Sequence, residues 1–180
     1  MQKNLLDPLR TLFSEIDFFL VTYNSVKLPD LLSDFKPRDV MIFPETYGDK
    51  FKLKAVNILV SESMNLIETY AKEYDYILCT RFDLYYYKPL DIGKIRLDCF
   101  NFAWVGPDGQ ADDQWLLFST DYIGHVRDYF KEGNVHYLNS TLSNCNYVCK
   151  LEPEKGYHMP NFYFIYRCLP EIGKSITLFE

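Results

Sequence analysis

The chain lacks any run approaching the ~20 consecutive apolar residues that cross a bilayer as a helix, so no membrane span is expected. It also lacks a basic excess: 19 Lys and Arg stand against 25 Asp and Glu, a formal net charge of -6. Binding to a phosphate backbone needs a clustered basic surface, and that excludes nucleic acid as the main partner. Cysteine is present without a framework. The five thiols, at positions 79, 99, 145, 149 and 168, are an odd set with no pair of CxxC clusters. Such a set argues against a Cys-rich zinc site and for reduced thiols in a cytosolic compartment. No internal repeat or low-complexity run is present. No Gly-rich, basic phosphate loop follows the first strand after Asn24. The opening "MQKNLLDPLRTLFSEID" lacks the basic-then-apolar build of a signal peptide, and the expectation is a cytoplasmic protein.

What is abundant is aromatic. Fifteen Tyr and 14 Phe, in a chain of 180 residues that is 48% hydrophobic, argue against disorder and for a strand-rich core with aromatic-lined clefts. The length suits one domain over 1–180, standing alone or as one domain of a larger protein. Periodicity predicts a short helix at 3–14, a buried strand at 17–23 and a Pro-punctuated connection through "LPDLLSDFKPRD". A short strand follows at 40–43, then a loop and a long amphipathic helix carrying Ala55, Ile58, Leu59, Met64, Leu66, Ile67 and Tyr70. Beyond it "YDYILCTRFDL" at 74–84 is an apolar strand that runs into an arginine and an aspartate. "CFNFAWV" and "QWLLFS" read as further strands, separated by the Gly/Asp loop "GPDGQADD". "TDYIGHVRDYFKEG" reads as a helix that Ser119 or Thr120 can cap and Gly133 can end. A tail helix through Asn139 to Cys145 and a strand at "FYFIYR" complete an α/β pattern with one or more antiparallel members.

Two strands finish in polar groups: "DFFLVTYNS" in Thr22, Tyr23 and Asn24, and "YILCTRFD" in Arg81 and Asp83. Open α/β sheets bind ligands at the carboxyl ends of their strands, so both ends are expected to face one crevice. Between them the long helix carries Lys54 and Asn57, three residues apart and on one helical face. The later "ADDQWLLFS" sets Asp112 and Asp113 directly ahead of Gln114 and Trp115.

This ordered series, over residues 17–167, resembles GT-A-fold nucleotide-sugar-dependent glycosyltransferases. Within them it resembles the small sugar transferases of large algal (chlorella) viruses and of bacterial polysaccharide clusters. The resemblance implies a GT-A-like, Rossmann-like mixed and mostly parallel sheet flanked by helices. It implies a metal-dependent transferase of the hexosyltransferase type, with a nucleotide-sugar donor, UDP-linked by expectation, and a glycan or glycoprotein acceptor. The cofactor implied is Mn2+ or Mg2+, and for a viral protein the place of action is the host cytoplasm. One departure stands out. The family's metal motif is Asp-x-Asp, whereas the triplet here is Arg81-Phe82-Asp83, which leaves one carboxylate, Asp83, to meet the ion together with the donor diphosphate.

Sugar transfer needs a slot for the base, charge neutralisation at the diphosphate and a group acting at the reacting sugar. Tyr23 can stack on the base and Thr22 can hydrogen-bond it, or both belong to the core. Lys54, Asn57 and Asn24 are candidates for the phosphates or ribose. Arg81 either bridges an acid or contacts phosphate. Asp83 is the metal candidate, with a turn-capping aspartate as the alternative. In the family the Asp112–Asp113 segment faces donor sugar and acceptor, so Asp113, or Asp112 beside it, is the candidate general base of an inverting reaction. Gln114 and Trp115 can add a hydrogen bond and a stacking surface, or Trp115 is core. His158 sits where such enzymes carry a late metal-binding histidine and is the second metal candidate, or it is an exposed loop residue. His125 reads as structural, His136 as a residue that can face the acceptor, and Cys145 and Cys149 as core thiols. Two other classes stay open: a non-catalytic sugar-nucleotide or glycan-binding module, and a nucleotidyltransferase.

Overall fold

Apolar runs and their punctuation set the order of elements. The computed structural model describes residues 2–44, 55–81, 84–86, 88–103, 105, 109, 115–133, 138–148 and 162–164. A π-helical turn, Gln2–Leu6, runs into α1 (Asp7–Leu9). Then come β1 (Phe19–Tyr23), α2 (Leu28–Phe35), β2 (Asp39–Phe43), α3 (Ala55–Glu68), β3 (Tyr76–Thr80) and β4 (Leu84–Tyr86). β5 (Phe100–Phe102), β6 (Trp115–Ser119), α4 (Ile123–Glu132), α5 (Leu138–Thr141), β7 (Cys145–Tyr147) and β8 (Phe162–Phe164) follow.

Several expectations change at this level. The stretch read as a Pro-punctuated connection holds α2. Pro29 falls in its first turn, where the ring's fixed φ suits a helix and the missing N–H had no intrahelical partner. The helix stops at Lys36, which takes a left-handed conformation (φ 45°) before Pro37. The tail helix ends at Thr141, and Cys145 opens a strand instead of closing a helix. The N-terminal helix is shorter than the span 3–14. α4 meets its expected end, Gly133 at φ 74°, but not its start: Thr120–Tyr122 form a 3-10 turn, whose cap is the Ser119 hydroxyl accepting from the Asp121 amide, and α4 begins at Ile123 without a side-chain cap.

"WLLF" has no polar side, and a strand without one must be covered on both faces. β6 is, and all four of these residues are buried. It lies inside a four-stranded sheet of order β3-β6-β5-β7, in which β3, β5 and β7 run one way and β6 the other. On one face Tyr76, Leu78, Trp115, Leu117 and Ala103 meet Leu5, Leu6 and Leu9 from the N-terminal turns and Tyr86, Leu90 and Val148. On the other, Ile77, Phe100, Phe102, Leu116 and Phe118 meet Val60 and Met64 of α3, Val126 and Phe130 of α4, and Leu138 of α5. Phe100 stacks on Phe118 with ring centroids 4.8 Å apart and on Phe102 at 4.7 Å. Such pairs add about 0.5–1.5 kcal/mol each beyond their area.

β1 and β2 form a separate parallel pair around α2, and β4 pairs antiparallel with β8. The fold is mixed α/β, a mixed sheet flanked by helices. No helix among the described residues is long and apolar enough to cross a membrane.

Candidate functional site

The two ends of the sheet differ in what they carry. At the amino end Arg38, just before β2, bonds Glu73 at 2.7 Å and Asp17 at 3.3 Å, and lies over the Tyr70 ring with 4.9 Å to its centroid. The bond to Glu73, ahead of that to Tyr74, holds its guanidinium above an already high pKa. Tyr70 donates to Asp39 at 2.8 Å and Tyr74 donates to Asp17. These bonds tie β1 and β2 to the turn between α3 and β3, so Asp17, Asp39 and Glu73 at this end are engaged in structural pairs.

The carboxyl end is where β3, β5 and β7 finish. β3 ends at Thr80, whose hydroxyl lies 2.8 Å from that of Tyr86, and the half-buried Arg81 follows. Antiparallel pairing sets Thr80 opposite Trp115, the first residue of β6. The residue that leads toward Asp83 and the residue that follows Asp113 and Gln114 are therefore cross-strand neighbours. Asn139 of α5 adds a polar group here: its amide donates to the Gly109 carbonyl at 2.9 Å and to the Tyr147 hydroxyl at 3.1 Å. Its side-chain oxygen, Oδ1, is buried with no partner among the described residues.

The sequence candidates separate accordingly. Thr22 is 5% exposed and packs inward with Leu20 from β1, while Tyr23 is half-buried, its ring 6.4 Å from Phe43. Asn24 is exposed, and its backbone amide donates to the Phe43 carbonyl at 2.7 Å. Asn57 lines a 320 Å³ cavity between α3 and α4, with Ser61, Asn65, Arg127 and Lys131. Trp115 is fully buried in the core, leaving no face for a sugar, and its indole N–H has no partner among the described residues. His125 bonds the Thr141 hydroxyl at 3.1 Å and packs on Tyr129, joining α4 to α5. Burial raises the thiol pKa of both Cys99 and Cys145, as suits core thiols. Lys54, Asp83, Asp112, Asp113, Gln114, His136, Cys149 and His158 lie outside the described residues. Among the described residues no group of three or more His, Cys, Asp or Glu side chains is placed to hold a metal ion.

Two asparagines escaped sequence reasoning. Asn139 reads only as a tail-helix residue. Asn101, 1% exposed, accepts from the Arg96 amide at 3.0 Å and donates to the Arg96, Cys99 and Leu117 carbonyls. It is a satisfied core staple, and nothing local in "CFNFAWV" marks it. No protein-family model matches the chain, and no curated protein matches it significantly.

Proposed function

We propose that the protein is a metal-dependent glycosyltransferase of GT-A-like fold that moves a sugar from a nucleotide-diphosphate donor, UDP-linked, to a glycan or glycoprotein acceptor in the cytoplasm. The observation that carries the reading is the Thr80–Trp115 pair. It sets the approaches to two acidic segments side by side at the end where three same-direction strands finish, the position at which open α/β sheets take ligands. Asn139 supports it by tying α5 to Gly109, three residues ahead of Asp112.

In this reading Tyr23 at the end of β1 receives the base, Thr22 belongs to the core beneath it, and Arg81 neutralises diphosphate charge. Asp83, with His158 as a second candidate, would hold Mn2+ or Mg2+, which supplies charge neutralisation to the leaving diphosphate when bound. Asp113 takes the proton of the acceptor hydroxyl as that oxygen attacks the anomeric carbon. Titrating UDP into the protein by calorimetry, with and without Mn2+, tests the reading. Saturable binding that needs the metal supports it, and no UDP binding in either condition refutes it.

A further inference from the structure

A 470 Å³ cavity lies between β1 and β3, at the amino-end half of the molecule. Consecutive residues of both strands line it, Phe18 to Leu20 on one side and Tyr74 to Leu78 on the other. A strand shows alternate side chains to each face, so a wall made of consecutive residues is a strand edge and not a face.

Hydrogen bonding confirms the direction of these edges. The Phe18 carbonyl accepts from the Arg38 amide and the Asn24 amide donates to Phe43, so the even-numbered residues of β1 point their backbone groups at β2. Phe19 and Val21 then point theirs the other way, toward the cavity side. The Asp75 carbonyl accepts from the Thr120 amide, so Asp75, Ile77 and Cys79 bond β6 while Tyr76 and Leu78 direct N–H and C=O outward. Among the described residues no strand is bonded to the second edge of either. An apolar ligand would leave these backbone groups unsatisfied, which is costly in a buried setting. Another main chain would satisfy both edges.

The side chains specify the rest. Leu5, Leu9 and Phe13 wall the cavity on one side of the sheet plane and Ile67 of α3 lines it too, which suits aliphatic side chains. Charged residues lining it are Glu15, Asp17, Glu73 and Asp75, four carboxylates at the amino ends of the two strands; Arg38 pairs with Asp17 and Glu73, which leaves the exposed Glu15 and Asp75 to meet an incoming cation. We propose that the gap between β1 and β3 is a docking site for an extended peptide that enters as an added strand, with aliphatic residues inside and a basic residue at the acidic mouth. β3 offers five residues, about 17 Å of edge, for that pairing.

The test uses the full chain and a fluorescein-labelled peptide, Lys-Val-Thr-Val-Thr-Val-Lys, followed by anisotropy. Saturable binding is expected, weakened tenfold or more when alternate peptide amides are N-methylated, since that removes main-chain donors and keeps the apolar surface. The double variant Glu15→Lys/Asp75→Lys, at two exposed positions, should weaken the peptide about threefold, the range of surface charge pairs, and favour its Glu-flanked counterpart. Equal binding of the N-methylated peptide, or no saturable binding up to millimolar peptide, overturns the proposal. So does hydrogen-exchange protection of the Phe19 and Leu78 amides in the free protein, because that would mean β1 and β3 pair with each other directly.

Discussion

Trp115 is the position at which a sugar-stacking role and a core role diverge most, and the structure gives numbers for the second. It is 0% exposed, within the cluster that joins the N-terminal turns to the sheet through Leu5, Tyr86, Leu90 and Leu117. Trp115→Ala removes the whole ring from that cluster and should cost about 3–5 kcal/mol of stability. Trp115→Phe separates packing from polarity. It leaves a residual cavity of a few tens of Å³, about 1 kcal/mol at roughly 24 cal/mol per Å³. Against that, it removes an indole N–H that has no partner among the described residues, a burial cost of about 1–3 kcal/mol. The second term equals or exceeds the first, so Trp115→Phe should range from as stable as wild type to about 2 kcal/mol more stable. Urea denaturation followed by far-UV circular dichroism measures both without relying on indole fluorescence. A Trp115→Phe loss as large as that of Trp115→Ala would mean that the N–H is bonded and the reasoning fails. A Trp115→Ala loss below about 1 kcal/mol, with ligand affinity reduced, would return the ring to the site.

Other outcomes follow from single residues. Gly133 ends α4 at φ 74°, and an added Cβ meets only the Asn57 amide at an ordinary 3.5 Å. Gly133→Ala should therefore cost about 1–2 kcal/mol by backbone strain alone, with Gly133→Asn milder, both read by urea denaturation. Tyr23→Ala should weaken UDP binding by about 1–3 kcal/mol in calorimetry without unfolding the domain; a fall in melting temperature with unaltered affinity would assign the ring to its packing on Phe43. Asp113→Asn should leave UDP affinity nearly intact and lower donor turnover by about 10² or more, and turnover within a few-fold of wild type would remove Asp113 from the chemistry.

The strands were legible where their pattern was unambiguous. "YILCT" and "WLLFS" are apolar runs of strand length bounded by polar residues, and they pair with each other. The end of helix α4 was legible, since a glycine behind it acts locally, while the serine ahead caps the 3-10 turn that leads into it. α2 was not, because two prolines read as breaks when one of them is the favoured start of a helix. The same contrast holds at the candidate site. Strand ends at Asn24 and Arg81 could be read from where apolar residues stop. The facing of Asn57 could not, because α3 is packed on two sides, against the sheet and against α4, and spacing alone does not say which side a polar residue joins. Asn139 is brought beside Gly109 and Tyr147 by tertiary contacts thirty and eight residues away in sequence, which no local pattern records.

Calorimetry of UDP binding to the Asp83→Ala variant, with Mn2+ present and absent, tests the central claim most directly. Asp83 is the one carboxylate of the Arg81-Phe82-Asp83 triplet that follows β3 in the sequence. The account predicts that wild type binds UDP far more tightly with Mn2+ than without it, and that the variant loses this difference while retaining the weak metal-free binding. Unchanged metal-dependent affinity in the variant would contradict it.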